Sequence, residues 1–553
     1  MHPHVLALPF AFLAIGLSQA WWREKNRPML DIKLWFHRQG LKSQLAEISG
    51  NNLWLLMFTA IVLGALSFLN TWDVLIYLFL IVGAFILSLW KSNEKWQMAY
   101  LRYALTLGAI LAISAIILYL PFYLGFRSQA GPPFLLPMAM QPTRLLHFLV
   151  IFLLPLVALF ILLVTLLSQA IRAHDSSAKK KQWLSAAGVV TGLVLGLFIL
   201  MLFLGWVISS TPEGASRVHS LASELGLSIE AAPAAGALGP RLLWATSAIV
   251  QLAPEFLVAR ISSPALILLL VFILFVVILL FHWLFGPLSV DNGEIKNRAN
   301  STSLPFALLL VGTAALLILG PEFVYLRDNF GQRINTIFKF YYQAWILFGV
   351  AAVYSLDYLL RRYRISGVLA SSIYVLCLAI ALLFPFYAIQ SRSIEYRGPV
   401  DSSERQQATL DGLAYLQQQN SSEYDALIWL RENVEGTPVI LEAVGGQYSG
   451  FGRVASVTGL PTLLGWAGHE YQWRGNTPEP AIREPAVALV YSDQPWNETA
   501  DLLNQFSVSY IYYGRLEKAT YGAAASENFE QYLDIAYQNN DVTIYRWISP
   551  EIE

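Results

Sequence analysis

The sequence predicts a polytopic α-helical membrane protein of about ten transmembrane helices with a small C-terminal α/β domain outside the cytoplasm. Three observations predict it: separate apolar runs of membrane-crossing length, few charged residues, and a change of pattern after residue 389. A helix needs roughly 20 apolar residues to cross about 30 Å of hydrocarbon. Of the 553 residues, 56% are hydrophobic and 13% charged, whereas soluble domains carry about 25% charged residues. With 36 basic and 37 acidic side chains the net charge is −1, so no global field recruits nucleic acid, and none is expected as a partner. The single cysteine, Cys377, excludes an intrachain disulfide framework.

The runs, in order, are Val5–Trp22, Leu53–Leu69, Val74–Trp90, Leu105–Leu124, Phe148–Ser168, Leu184–Ile208, Pro264–Phe285, Leu304–Leu319, Phe338–Leu360 and Val368–Ile389. Hydrocarbon offers no hydrogen bonds, so each run must satisfy its own backbone as a helix. Arg23 to Lys42, Lys91 and Lys95, Arg172 with Lys179 to Lys181, Lys296 with Arg298, and Arg361 to Arg364 follow alternate runs. By the positive-inside rule these loops are cytoplasmic and both termini lie outside. The membrane domain is then 1–389, with outer loops near 70–73, 125–147, 209–263 and 320–337. Arg327 and Arg333 break the alternation and call for a reason of their own. Within the long loop, Leu242–Val258 reads as an interfacial helix.

Candidate functional residues gather where outward helix ends meet outer loops. His2 and His4 can both reach a metal if the backbone is extended, or serve as interfacial histidines on a frayed terminus. Asn70-Thr71-Trp72-Asp73 joins two runs almost without a loop. An ionisable residue so near hydrocarbon is a functional candidate; the alternative is a tight hairpin whose Asn and Asp cap the next helix. The densest segment holds Glu322, Arg327, Asp328, Arg333, Asn335, Lys339, Tyr341, Tyr342, Gln343 and Trp345. Arginine forks and a lysine point charge suit phosphate, and the rings suit sugars or lipid headgroups. The competing reading is a loop of internal ion pairs beside an aromatic belt.

Residues 390–553 alternate element types. Helices are predicted at Tyr424–Glu432, Thr499–Phe506 and Asn528–Tyr537, and strands at Pro438–Glu442, Val508–Tyr513 and Val542–Trp547. The glycines of Gly445–Gly452 have no following Gly-Lys-Ser/Thr, so a nucleotide-binding loop fails. His469, Glu470 and Arg474 amid Trp466, Tyr471 and Trp473 suit a polar, sugar-like ligand or a plain surface loop.

The stretch RINTIFKFYYQAW, with HPHVLALPFA, NTWD and TGLPTLLGWAGHEYQWRG, resembles the "YYY" membrane-protein family, a domain of unknown function. That family is distantly similar to the GT-C glycosyltransferases, which take sugar from a polyprenyl-phosphate donor at the outer membrane face. The resemblance implies a GT-C-like fold and such a transferase. It implies acidic groups at Asp73, Glu322 and Asp328 near the reaction centre, donor phosphate at Arg327, Arg333 and Lys339, and a divalent metal (Mg or Mn) at His2 and His4. Family members carry an Asp two residues before the first histidine. Its absence before His2 implies an N-terminally truncated chain. Two other classes stand beside this reading: a transporter or flippase for a lipid or polar solute, and a noncatalytic membrane scaffold whose tail binds glycans.

Overall fold

A computed structural model describes residues 3–24, 52–93, 99–126, 135–138, 142–173, 176–234, 236–285, 303–327, 332–397, 408–474, 477–523 and 525–548. Two compact units divide the chain, one of residues 1–126 with 130–384 and one from 385 to 553. Each is described by itself.

The first unit is helical: α1 (Pro3–Arg23), α2 (Leu53–Leu69), α3 (Asp73–Asn93), α4 (Ala99–Leu118), α5 (Leu120–Gly125), α6 (Leu145–Ala173), α7 (Ser176–Ser209), α8 (Pro212–Glu224), α9 (Leu238–Ile261), α10 (Ala265–Phe285), α11 (Leu304–Leu319), α12 (Ile334–Arg362) and α13 (Arg364–Ala381). Among the described residues, ten helices are long and apolar enough to cross a membrane. Nine of these coincide with predicted runs. The run Leu53–Leu69 forms a shorter apolar helix, and Leu238–Ile261 joins the set by length and composition. The run Leu105–Leu124 breaks at Tyr119, because Pro121 sits in the first turn of α5 and brings no backbone donor.

Burial locates the centre of the bundle at α11. Its apolar window is 72% buried against α10, α12 and α3, while that of α7 is 11% buried. A surface that stays apolar and uncovered is what a helix facing lipid requires. Beside α11, a short antiparallel ribbon joins β1 (Leu135–Pro137) to β2 (Val324–Leu326), with Leu136 opposite Tyr325.

Helix α9 touches the C-terminal part of α7. Trp206 Nε1 donates to Thr246 Oγ1 at 3.0 Å, and the Arg260 guanidinium reaches Met201 Sδ at 3.0 Å.

The second unit carries α14 (Leu383–Arg397), α15 (Ala414–Gln419), α16 (Ser421–Asn433), β3 (Val439–Leu441), α17 (Arg453–Thr458), α18 (Ala467–Arg474), α19 (Glu479–Val490), α20 (Trp496–Gln505), β4 (Val508–Tyr513), α21 (Arg515–Tyr521), α22 (Ser526–Tyr532), β5 (Asp534–Gln538) and β6 (Thr543–Arg546). The sheet order is β3-β4-β6-β5, with β3 parallel to β4 and the other pairs antiparallel. The helix predicted over Asn528–Tyr537 stops at Tyr532. Leu533 is extended, and Asp534–Gln538 pairs with β6, where alternation along the strand outweighs helix propensity.

One ionic knot holds this unit. Arg453 bonds Glu517 at 2.9 and 3.1 Å and also bonds Glu423. Glu517 accepts the Ala443 and Gly514 amides, and Glu442 accepts those of Val454 and Ala455. Glu442 and Glu517 are fully buried. Removing the one cation from such a set leaves buried charge uncompensated, so Arg453→Met is expected to cost about 3–5 kcal/mol of unfolding free energy in a denaturant titration of the full chain.

Burial pushes the Glu442 carboxyl up from 4.5 to about 7. The folded chain then holds a proton that the unfolded chain releases between those values, so this group's contribution falls as pH rises from about 4.5 to 7. Thermal unfolding of the tail is expected to show that slope, and Glu442→Gln is expected to remove it.

Candidate functional site

Helix α3 begins at Asp73, directly after the turn in which the Asp73 amide bonds the Asn70 carbonyl at 2.9 Å. The turn is tight, as a hairpin requires, but neither side chain is spent on capping. Asp73 is fully buried, and neither carboxylate oxygen makes a hydrogen bond of normal geometry among the described residues. Its nearest polar neighbours are the Asn70 and Gln343 amides, with the Lys339 charge close by. Asn70 Nδ2 and Gln343 Nε2 are themselves buried and unbonded.

Helix α12 supplies the other wall. Lys339 and Gln343 are four residues apart and so share one face. The Tyr77 hydroxyl, one turn below Asp73, donates to Gln343 Oε1 at 2.5 Å. That bond occupies the acceptor end of the Gln343 amide and leaves its N–H groups unbonded. The Lys339 ammonium lies 6.0 Å over the Trp72 ring. His4, buried on α1, packs edge-on against Phe338 at 4.9 Å and Tyr342 at 5.5 Å. Three segments far apart in sequence thus bring His4, Asn70, Trp72, Asp73, Lys339, Tyr342 and Gln343 together.

A second cluster surrounds Glu322, which is 2% exposed. Arg333 Nη1 donates to Glu322 Oε1 at 2.9 Å, the Thr143 hydroxyl to the same oxygen at 2.6 Å, and the Thr143 amide to Oε2 at 2.9 Å. Arg260 bonds the Glu322 carbonyl at 2.9 Å and the Phe256 carbonyl at 2.7 Å, and also bonds that of Met138. Tyr341 points to this side, packed edge-on against Phe152 at 5.5 Å, its buried hydroxyl facing Thr143 without a hydrogen bond of normal geometry. Arg327 follows β2 and Asn335 opens α12, both half-buried. Asp328 and His2 lie outside the described residues.

Sequence reasoning did not single out Tyr77, Thr143 or Arg260. An arginine near the end of a largely apolar helix was the available signal for Arg260; Thr143 carried none. Among the described residues no three His, Cys, Asp or Glu side chains gather as ligands of a metal.

The tail residues form their own group within the second unit. Tyr448, Trp466 and His469 stand 5.0–5.3 Å apart as mutually tilted rings. His469 Nε2 is 3.1 Å from the Tyr448 hydroxyl. Glu470 and Arg474 pair at 2.5 Å, and Arg474 also meets Glu479 at 3.0 Å. Tyr448 is 80% exposed and adopts φ +56°, a left-handed conformation uncommon for a non-glycine residue.

These features define a multi-pass helical membrane protein with polar side chains assembled at the ends of its helices. Residues 1–348 match the uncharacterized membrane protein family DUF2298, and the chain belongs to that family. The match ends within α12, so both membrane clusters fall inside it. No curated protein matches the chain.

The two carboxylates differ in a measurable way. Glu322→Gln removes the buried charge that Arg333 and Thr143 share, so its melting temperature is expected to fall clearly. Asp73→Asn removes a buried charge that accepts no hydrogen bond, so it is expected to melt at or above wild type. Parallel thermal unfolding in one detergent compares them.

Proposed function

We propose that the membrane unit is a glycosyltransferase that moves a sugar from a polyprenyl-phosphate donor to an acceptor hydroxyl at the outer membrane face. One observation carries the reading: among the described residues, Asp73, Asn70 and Gln343 hold four buried polar atoms that face one another without a hydrogen bond of normal geometry, beside a lysine on an aromatic ring. Each unsatisfied buried group costs about 1–3 kcal/mol, and a bound polyhydroxylated phosphate ester offers both the donors and the acceptors they lack. The resemblance to the "YYY" family and, distantly, to GT-C enzymes points the same way.

In this reading Asp73 is the general base that takes the acceptor hydroxyl's proton. The new bond joins the acceptor oxygen to the anomeric carbon. The bond from that carbon to the phosphate oxygen breaks, and polyprenyl phosphate leaves with its added charge. Lys339 meets that charge as a mobile cation, and Trp72 limits where its ammonium can sit. Asn70 and Gln343 orient sugar hydroxyls or phosphate oxygens through their N–H groups. Arg333 reaches phosphate only from within its pair with Glu322, so Glu322 acts as a brace that sets the arginine's direction. In the tail, Tyr448, Trp466 and His469 present ring faces of the kind that contact sugars.

The test uses the full chain in proteoliposomes with radiolabelled hexose on a polyprenyl phosphate. Wild type is expected to transfer label to a lipid or protein acceptor. Asp73→Asn is expected to lower transfer by about 10²–10⁴-fold while donor binding persists, and Lys339→Met is expected to weaken donor binding itself. Equal turnover by Asp73→Asn and wild type would sink the proposal. Movement of intact donor across the bilayer without transfer would favour a flippase.

A further inference from the structure

A buried arginine away from both clusters has no partner among the described residues. Arg241, in the first turn of α9, is 3% exposed. Its Nε is fully enclosed with no hydrogen-bond partner, and no ion pair or acceptor for its guanidinium occurs among the described residues. It lies on the inward stripe of α9 with Trp244, Ala245, Ala248 and Leu252. A buried charge without a partner is among the costliest features a fold can retain.

Its position makes the demand for an anion stronger. Helical side chains lean toward the helix N-terminus, so the guanidinium lies over the first turn of α9. That turn is uncapped: Ala237 at the N-cap provides no side-chain acceptor. The Leu238 and Gly239 amides precede the first residue of α9 whose amide finds a backbone carbonyl, that of Arg241 on Ala237 at 3.0 Å. Pro240 between them has no donor. Open amides and the positive end of a 24-residue helix add to the arginine's charge instead of offsetting it. Leu238, Gly239 and Pro240 are exposed, and a methyl group added at Gly239 would meet nothing within 4 Å. The site is therefore charged, donor-rich and open to approach.

We propose that Arg241 and the first turn of α9 form an oxyanion site that takes a phosphate group. A lipid headgroup and a free phosphate ion share that chemistry. The surroundings favour the lipid. Helix α9 is itself a candidate span, so its first turn falls at a span end, where headgroups lie, and its outer face carries Leu243, Val250 and Leu257 exposed at intervals of seven residues. The site is independent of the transferase reading, because it needs neither Asp73 nor a sugar.

The experiment uses the full chain in phosphate-free maltoside micelles, with phosphatidylglycerol or inorganic phosphate titrated in while tryptophan fluorescence follows unfolding. Phosphatidylglycerol is expected to raise the melting temperature of wild type and of Arg241→Lys, and to leave Arg241→Leu unmoved. Native mass spectrometry is expected to find phosphatidylglycerol held about ten-fold more weakly by Arg241→Leu. In anion-free micelles Arg241→Leu is expected to melt at or above wild type, since it removes an uncompensated charge; that result also confirms that the variant folds. A rise with inorganic phosphate alone supports the site with the soluble ion as its ligand. The proposal is overturned if neither additive shifts wild type, if both shift Arg241→Leu equally, or if Arg241→Leu is the less stable protein without anions.

Discussion

Three separate stretches of chain meet at Glu322, and the geometry of the membrane unit depends on that meeting. The carboxylate draws in Thr143, ahead of α6, and Arg333, at the start of α12. Its backbone carbonyl holds Arg260, from the end of α9. In an apolar bundle such bonds have little competition from water, and losing one partner leaves the others buried and unmatched. The start of α12 is fixed by this knot. Lys339 and Gln343, one and two turns further on, project from a helix whose origin is held.

Against that background the Asp73 group is conspicuous for what it does not do. Glu322 accepts three hydrogen bonds; Asp73, equally buried, accepts none of normal geometry among the described residues. The same bundle therefore contains one carboxylate used for structure and one whose bonding capacity is left open. Stability alone favours the first arrangement. Sites that bind and react tend to keep the second, at some cost to the fold. The tail follows the structural pattern, with Glu517 satisfied by Arg453 and two backbone amides.

Much of the membrane architecture was legible in the sequence because a spanning helix is specified by length and apolar content, both local properties. Nine of the candidate spans follow from that count. Pro121 also signals locally, yet an uninterrupted apolar run concealed the break at Tyr119. Strand Asp534–Gln538 was hidden for a related reason: its pairing with β6 is a contact across a turn that helical spacing imitates. At the site, Asn70, Asp73, Lys339 and Gln343 stood out as polar residues at the rims of apolar runs. Their mutual placement did not, nor did Tyr77, whose bond to Gln343 joins residues 266 apart. The burial of Arg241 and Arg260 is a tertiary property, since a surface arginine and one inside a helical layer look alike in sequence.

The central claim is that the open bonding capacity around Asp73 belongs to a ligand. The most direct measurement is an electron cryomicroscopy map of the full chain in discs of its native lipids, at a resolution that places side-chain amides. The account predicts density from a non-protein group within hydrogen-bonding distance of Asp73, Asn70 Nδ2 and Gln343 Nε2. A map in which those two amides donate straight to the carboxylate, closing the space between α3 and α12, would contradict it.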